Sequence, residues 1–168
     1  MRLSVFAFCL LLATSSVAQE GYRLAFRISG LKDTTIYLGN YYGESTYLKD
    51  TALVNSKGEF VFESKKTLAY QGVYFLVLNK TKVFEMVVGG NQHFSMSTTT
   101  EDYVRNMRVT GDEDNRLFFE NMIFNMERHK EAEPVLRIIQ DSTLNEDKKK
   151  QAREEFVKIN DKVVTYQN

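Results

Sequence analysis

The chain has one cysteine, one proline, no tryptophan and two histidines among its 168 residues. The cysteine, Cys9, lies in the N-terminal apolar segment, so the rest of the chain offers no thiol for a disulfide, a nucleophile or a thiolate metal ligand. Thiol chemistry must then come from elsewhere. A net charge is missing too, because 22 Lys and Arg balance 22 Asp and Glu, which argues against nucleic acid or an anionic membrane as the main partner. The apolar stretch from Leu3 to Ala13 is too short to span a bilayer, so no transmembrane segment is expected once it is removed.

Phosphate and nucleophile motifs are also lacking. Gly89-Gly90 has neither the spacing nor the following lysine of a P-loop, and no nucleophile elbow occurs. His129 and Glu133 stand four apart on a helical pattern, but two ligands do not define a zinc site. Asp112, Glu113 and Asp114 lack the alternating oxygen ligands of a calcium loop, and helix capping explains them. No catalytic residue, metal or cofactor is expected, and a hydrolase built from scattered carboxylates would need a convergence that sequence does not display.

What the chain does have begins with a leader. Arg2, the apolar run and the small residues Ser16-Val17-Ala18 follow the order of a cleaved signal peptide, with cleavage expected after Ala18 and export to the periplasm or beyond. Phe8 before Cys9 is too bulky for a lipoprotein site. The remaining 150 or so residues suffice for one ordinary domain.

Nine Tyr and twelve Phe suit pleated sheets, where rings pack across strands. From Tyr22 onward the hydrophobic period is two, with Tyr22, Leu24, Phe26 and Ile28 on one face. Further runs follow at 34–42, 46–54, 59–63, 73–78, 83–88, 93–97 and 104–109, punctuated by Gly43, Asn55-Ser56-Lys57-Gly58 and Gly89-Gly90-Asn91. The unbroken apolar run at 73–78 is expected in a central position. About eight short antiparallel strands over residues 19–111 indicate a β-sandwich or open barrel.

At Gly111 the period changes to helical. Asp112 or Asp114 caps a helix carrying Phe119, Met122, Ile123 and Met126, Pro134 opens a short second helix, and Thr143-Leu144-Asn145-Glu146 reads as the capping box of a third. That last helix has the stripe Ala152, Phe156, Ile159 and Val163. A tail or connector of two to three helices is therefore expected over 112–168, and the final stripe needs a surface to cover it.

Tyr41, Tyr42 and Tyr47 surround Gly43 and form a candidate aromatic surface, because a tyrosine ring packs while its hydroxyl hydrogen-bonds. The alternative reading has them line a hairpin or sheet edge.

The ordered set Leu38-Gly39-Asn40-Tyr41-Tyr42-Gly43, Asp50-Thr51-Ala52, Gly58-Glu59-Phe60-Val61-Phe62, Gly72-Val73-Tyr74-Phe75 and Asn91-Gln92-His93-Phe94 resembles a known family. It is similar to the uncharacterised N-terminal β-domain that precedes thioredoxin-like domains in Bacteroidetes-type exported proteins, over about residues 22–118. The resemblance implies an exported thiol-disulfide oxidoreductase whose Cys-x-x-Cys site lies in a C-terminal thioredoxin-like domain, absent from this chain. It also implies O-glycan acceptors at Asp-Ser/Thr sites, here Thr34, Thr51 and Ser142.

The chain is thus expected to be a non-catalytic binding or positioning domain, partnered by a protein or by an in-chain thioredoxin-like domain. The alternative is a self-standing envelope protein that binds glycan or peptide.

Overall fold

A computed structural model describes residues 21–167; the cleavage site expected after Ala18 lies outside them. Eight strands come first, β1 (Tyr22–Ser29), β2 (Thr34–Tyr42), β3 (Ser45–Val54), β4 (Glu59–Ser64), β5 (Gly72–Leu78), β6 (Thr81–Val88), β7 (His93–Thr99) and β8 (Arg108–Thr110). Two helices follow, α1 (Glu113–Gln140) and α2 (Glu146–Gln167).

The strands form two four-stranded sheets, ordered β4-β1-β7-β8 and β3-β2-β5-β6, so the architecture is a sandwich and not a closed barrel. Every pairing is antiparallel but one: β1 and β7 run parallel. Parallel neighbours need a long crossover, and here the whole of the second sheet is laid down between them.

Alternation places Leu24, Phe26 and Ile28 of β1 inside and Arg23 and Arg27 outside. The facing sheet contributes Ile36, Leu38, Tyr74, Leu76, Phe84, Met86 and Val88 to the same core. Phe26 is its hub, stacked on Phe60 at 5.1 Å and touching Phe84 of the other sheet at 6.5 Å. Strand β5 lies between β2 and β6, in the central position that its apolar run called for. Tyr74, Phe75 and Leu76 are all buried, so both of its faces are covered at once. On the outer face Phe75 fits because residue 39 is glycine; a Cβ there would stand 2.5 Å from the ring.

Three local expectations need correction. The last strand is shorter and later than the run 104–109 suggested, because Asp102 Oδ1 accepts from the backbone N–H groups of Val104 (3.1 Å) and Arg105 (2.9 Å). That side-chain turn competes with the ladder and wins. Pro134 does not open a second helix but sits inside α1. A proline within a helix forfeits one backbone hydrogen bond and costs about 3 kcal/mol. Continuity is held by burial on either side of it, since Ala132 and Val135 pack with Ala152 and Ile159 of α2 in a second small core. Finally, Asn145 caps α2, accepting from Lys148 N at 3.0 Å, whereas Thr143 is turned back onto Asp141 by two hydrogen bonds.

The stripe on α2 faces inward as its spacing indicated, with Ala152 and Ile159 buried and Phe156 and Val163 half-buried. The start of α1 belongs to the sandwich, because Phe119 is part of the main core and its ring meets Phe84 at 6.0 Å.

Candidate functional site

Strands β2 and β3 are joined by Gly43-Glu44, where Gly43 adopts φ +58° as a two-residue hairpin loop requires. Successive residues of a strand point to opposite faces, so Tyr41 and Tyr42 part company at the tip. The three tyrosines singled out in the sequence therefore do not form one surface.

Tyr41 lies over Phe75 on the outer face of the second sheet, with ring centroids 4.9 Å apart. Its hydroxyl donates to Glu85 Oε1 at 2.6 Å and accepts from Lys82 Nζ at 2.7 Å, while Lys82 and Glu85 pair directly. Hydrogen bonds from Lys82 and then Tyr41 hold the Glu85 carboxyl below its ordinary range, and hydrogen bonds to Glu85 and then Tyr41 push Lys82 upward. This triad has the character of a structural clasp between β2 and β6.

Tyr42 and Tyr47 do meet, edge to face at 6.4 Å, and are joined by Tyr70 from the loop before β5, whose ring lies 4.8 Å from Tyr42. Lys49 completes the group, its Nζ 5.3 Å from the Tyr70 centroid and 5.8 Å from that of Tyr47. The loop is anchored because the buried Tyr74 hydroxyl donates to the Tyr70 carbonyl at 2.7 Å. Exposure of 56% for Tyr42, 49% for Tyr47 and 44% for Tyr70 leaves all three side chains accessible to a partner. Beneath them, Asn40 is buried, donates Nδ2 to the Tyr41 carbonyl at 3.1 Å, and keeps an Oδ1 with no partner among the described residues.

Sequence reading missed Tyr70, which lies 23 residues from Tyr47 in a polar loop with no periodic signal. The only hint was its position just before the glycine that starts β5.

Below this end, Tyr22 of the first sheet donates to Asp50 Oδ2 of the second at 2.7 Å, a polar tie across the sandwich edge. Burial, and then the Asp50 carboxylate, raise the Tyr22 hydroxyl well above its ordinary value, and burial raises Tyr74 likewise. A folded-state pKa raised in this way contributes stability fully present below the unfolded value of about 10 and lost as pH climbs through the folded one. Denaturant midpoints measured from neutral pH upward are expected to hold until about pH 10 and then fall. Tyr22→Phe should flatten that fall while costing about 1.5–3 kcal/mol at neutral pH, the worth of a hydrogen bond to a charged acceptor.

The other residues considered from sequence are accounted for by structural partners. His93 Nε2 lies 3.1 Å from the Gly21 carbonyl, and Glu133 is ion-paired to Arg137, not turned to His129. Asp112 is the cap of α1, accepting from Asn115 N at 2.8 Å. Of the three candidate glycan acceptors, Thr51 on β3 and Ser142 between the helices are exposed, and Thr34 at the start of β2 is half-buried.

Two residues that the sequence reading passed over hold the framework. Asn115 is fully buried and brackets Val87 of β6, accepting from its N–H at 2.8 Å and donating to its carbonyl at 2.6 Å. Gln92 does the same for Leu68, at 2.7 and 3.2 Å, and fixes the loop that carries Tyr70.

Among the described residues, no helix is long and apolar enough to cross a membrane. No curated protein matches the chain. A family described as a domain of unknown function (DUF4369) matches residues 22–118, which runs from the first residue of β1 to the second turn of α1, where Phe119 enters the sandwich core. The chain belongs to this DUF4369 family.

Proposed function

We propose that the chain is a non-catalytic binding and positioning module of an exported thiol-disulfide oxidoreductase, whose redox cysteines reside in a thioredoxin-like domain outside these residues. The observation that carries the binding role is the cluster Tyr42, Tyr47 and Tyr70, three rings packed on one another yet left out of both cores. Rigid tyrosines make large contact areas at small entropic cost, which is why they are enriched where surfaces meet. The oxidoreductase context rests on the sequence resemblance alone. The ionisable groups with displaced pKa values owe the displacement to structural neighbours, as with Glu113 and Arg116, or Glu131 and Lys162.

The triple variant Tyr42→Ala, Tyr47→Ala and Tyr70→Ala tests this. It is expected to stay folded, losing about 1–2 kcal/mol of ring–ring contact, while binding to isolated envelope fractions drops at least tenfold. Unchanged binding would remove the surface from consideration. Reduction of insulin disulfides by the purified protein lacking residues 1–18, and with them Cys9, above the rate of added reductant alone, would contradict the non-catalytic part.

A second reading is a self-standing envelope protein that recognises glycan or peptide through the same rings. It is favoured by Lys49, which places a cation beside two of the rings and so gives the surface a polar contact as well as stacking faces. The Asp-Thr and Asp-Ser sites add a further expectation, that the native exported protein carries sugar at Thr51 or Ser142; an intact mass equal to the bare polypeptide would end it.

A further inference from the structure

The outward face of the first sheet carries a second, chemically different surface. Side chains that point outward from the first sheet form cross-strand rows, Glu59, Arg27, Ser97 and Arg108 in one and Val61, Ala25, Ser95 and Thr110 in the next. Because Ala25, Ser95 and Ser97 are small and stand between longer neighbours, the face is hollowed. One depression of about 380 Å³ is lined by Ala25, Arg27, Ser95, Ser97, Arg108 and Thr110 with Glu59 at its rim. A second of about 280 Å³ adjoins it, sharing Ser95 and Thr110 and reaching Arg23 and His93. The two make one trough along β7.

Charge distinguishes this trough from an ordinary solvated sheet face. Arg27 is the register partner of Glu59, yet the Glu59 carboxylate accepts from Asn55 Nδ2 at 3.1 Å. Glu63, at the far end, is 3.6 Å from Arg23. Among the described residues no carboxylate is in ion-pair contact with Arg27 or with Arg108, whose Nη1 donates to the Met107 carbonyl at 3.0 Å. Both guanidinium groups flank Ser97 from adjacent strands, so their Cα atoms are about 10 Å apart. Two forks with free donors, separated by hydroxyls that both donate and accept, match oxyanions spaced along a hydroxyl-bearing chain.

We propose that this trough binds an acidic oligosaccharide, with Arg27 and Arg108 each taking a carboxylate or sulfate and Ser95, Ser97 and Thr110 meeting the sugar hydroxyls between them. A peptide is the poorer fit, because β1 and β7 are each laddered on both sides and present no free main-chain edge to it. The inference is independent of the tyrosine surface, which lies at the β2–β3 tip.

The test is calorimetric titration of the purified chain with hexagalacturonate, a chondroitin sulfate hexasaccharide, cellohexaose and hexaglutamate. Binding of one or both anionic sugars is expected, weakening as salt rises, with no binding of cellohexaose. The arm that binds tells carboxylate from sulfate. Arg27→Ala with Arg108→Ala is expected to weaken it at least tenfold, and Ser97→Leu, which fills the floor without removing charge, to weaken it as well; Tyr42→Ala with Tyr47→Ala should leave it unchanged. Both arginines are exposed, so an unaltered thermal midpoint is expected for the double variant. The proposal is overturned if neither anionic sugar binds, if the arginine variant binds as wild type does, or if cellohexaose or hexaglutamate binds as tightly.

Discussion

Replacing Asn115 with leucine is expected to lower stability by about 2–5 kcal/mol, the cost of leaving one or two buried backbone groups without partners. The side chain is completely buried and does for β6 what a neighbouring strand would do, satisfying both the N–H and the carbonyl of Val87. Its Nδ2 also donates to Asp112 Oδ1 at 2.8 Å, so the same amide ties the helix cap to the edge strand. Leucine has the right volume and none of this. Aspartate is expected to do little better, since it keeps an acceptor for the Val87 N–H but sets a carboxylate against the Val87 carbonyl. Guanidinium unfolding of the three proteins measures the difference. A loss below about 1 kcal/mol for leucine would mean that water satisfies Val87 equally well and that the amide does not hold α1 to the sheet.

Phe26→Ala is expected to cost about 3–5 kcal/mol, as large core deletions do when the surroundings cannot collapse. Phe26 contacts Phe60 and Phe62 within its own sheet and Phe84 across the interface, and Phe84 in turn meets Phe119 of α1. Removal therefore opens a cavity where two sheets and a helix converge. Because Phe119 and Asn115 lie one turn apart on α1, the Phe26 and Asn115 substitutions share a docking element. Their combined effect is expected to be smaller than the sum, which a double-mutant cycle reads directly.

The two-residue period was enough to identify the sheets. Leu24, Phe26, Ile28, Phe60, Phe62, Phe94 and Met96 all point inward as their alternation says, because a strand half-buried in a sandwich must segregate its faces. The long apolar run of β5 likewise announced a central strand. What the pattern did not carry was pairing: the parallel contact of β1 with β7 depends on where the chain returns after building the other sheet, and no residue in either strand encodes it. Side chains that bond backbone were the other blind spot. Asp102 delayed the start of a predicted strand, Asn145 took the cap from Thr143, and Asn115 and Gln92 read as ordinary polar residues until their partners, 28 and 24 positions away, came into view. Pro134 misled for a different reason, since burial of Ala132 and Val135 against α2 outweighed a local penalty.

The candidate surface was legible only in part. Residue type and the Gly43 turn marked Tyr42 and Tyr47, but strand geometry sends Tyr41 to the other side, and Tyr70 arrives by tertiary folding. An aromatic count near a turn says that rings are present, not which of them share a face.

The account stands on the Tyr42, Tyr47 and Tyr70 rings acting as a contact surface. The most direct test is to replace Tyr47 with a photo-crosslinking benzoylphenylalanine in the native full-length protein, with Lys158 on α2 as a matched exposed control, and to irradiate intact cell envelopes. An adduct formed at position 47 and absent at 158 is the expected result. No adduct at 47, or equal yields at both positions, would contradict it.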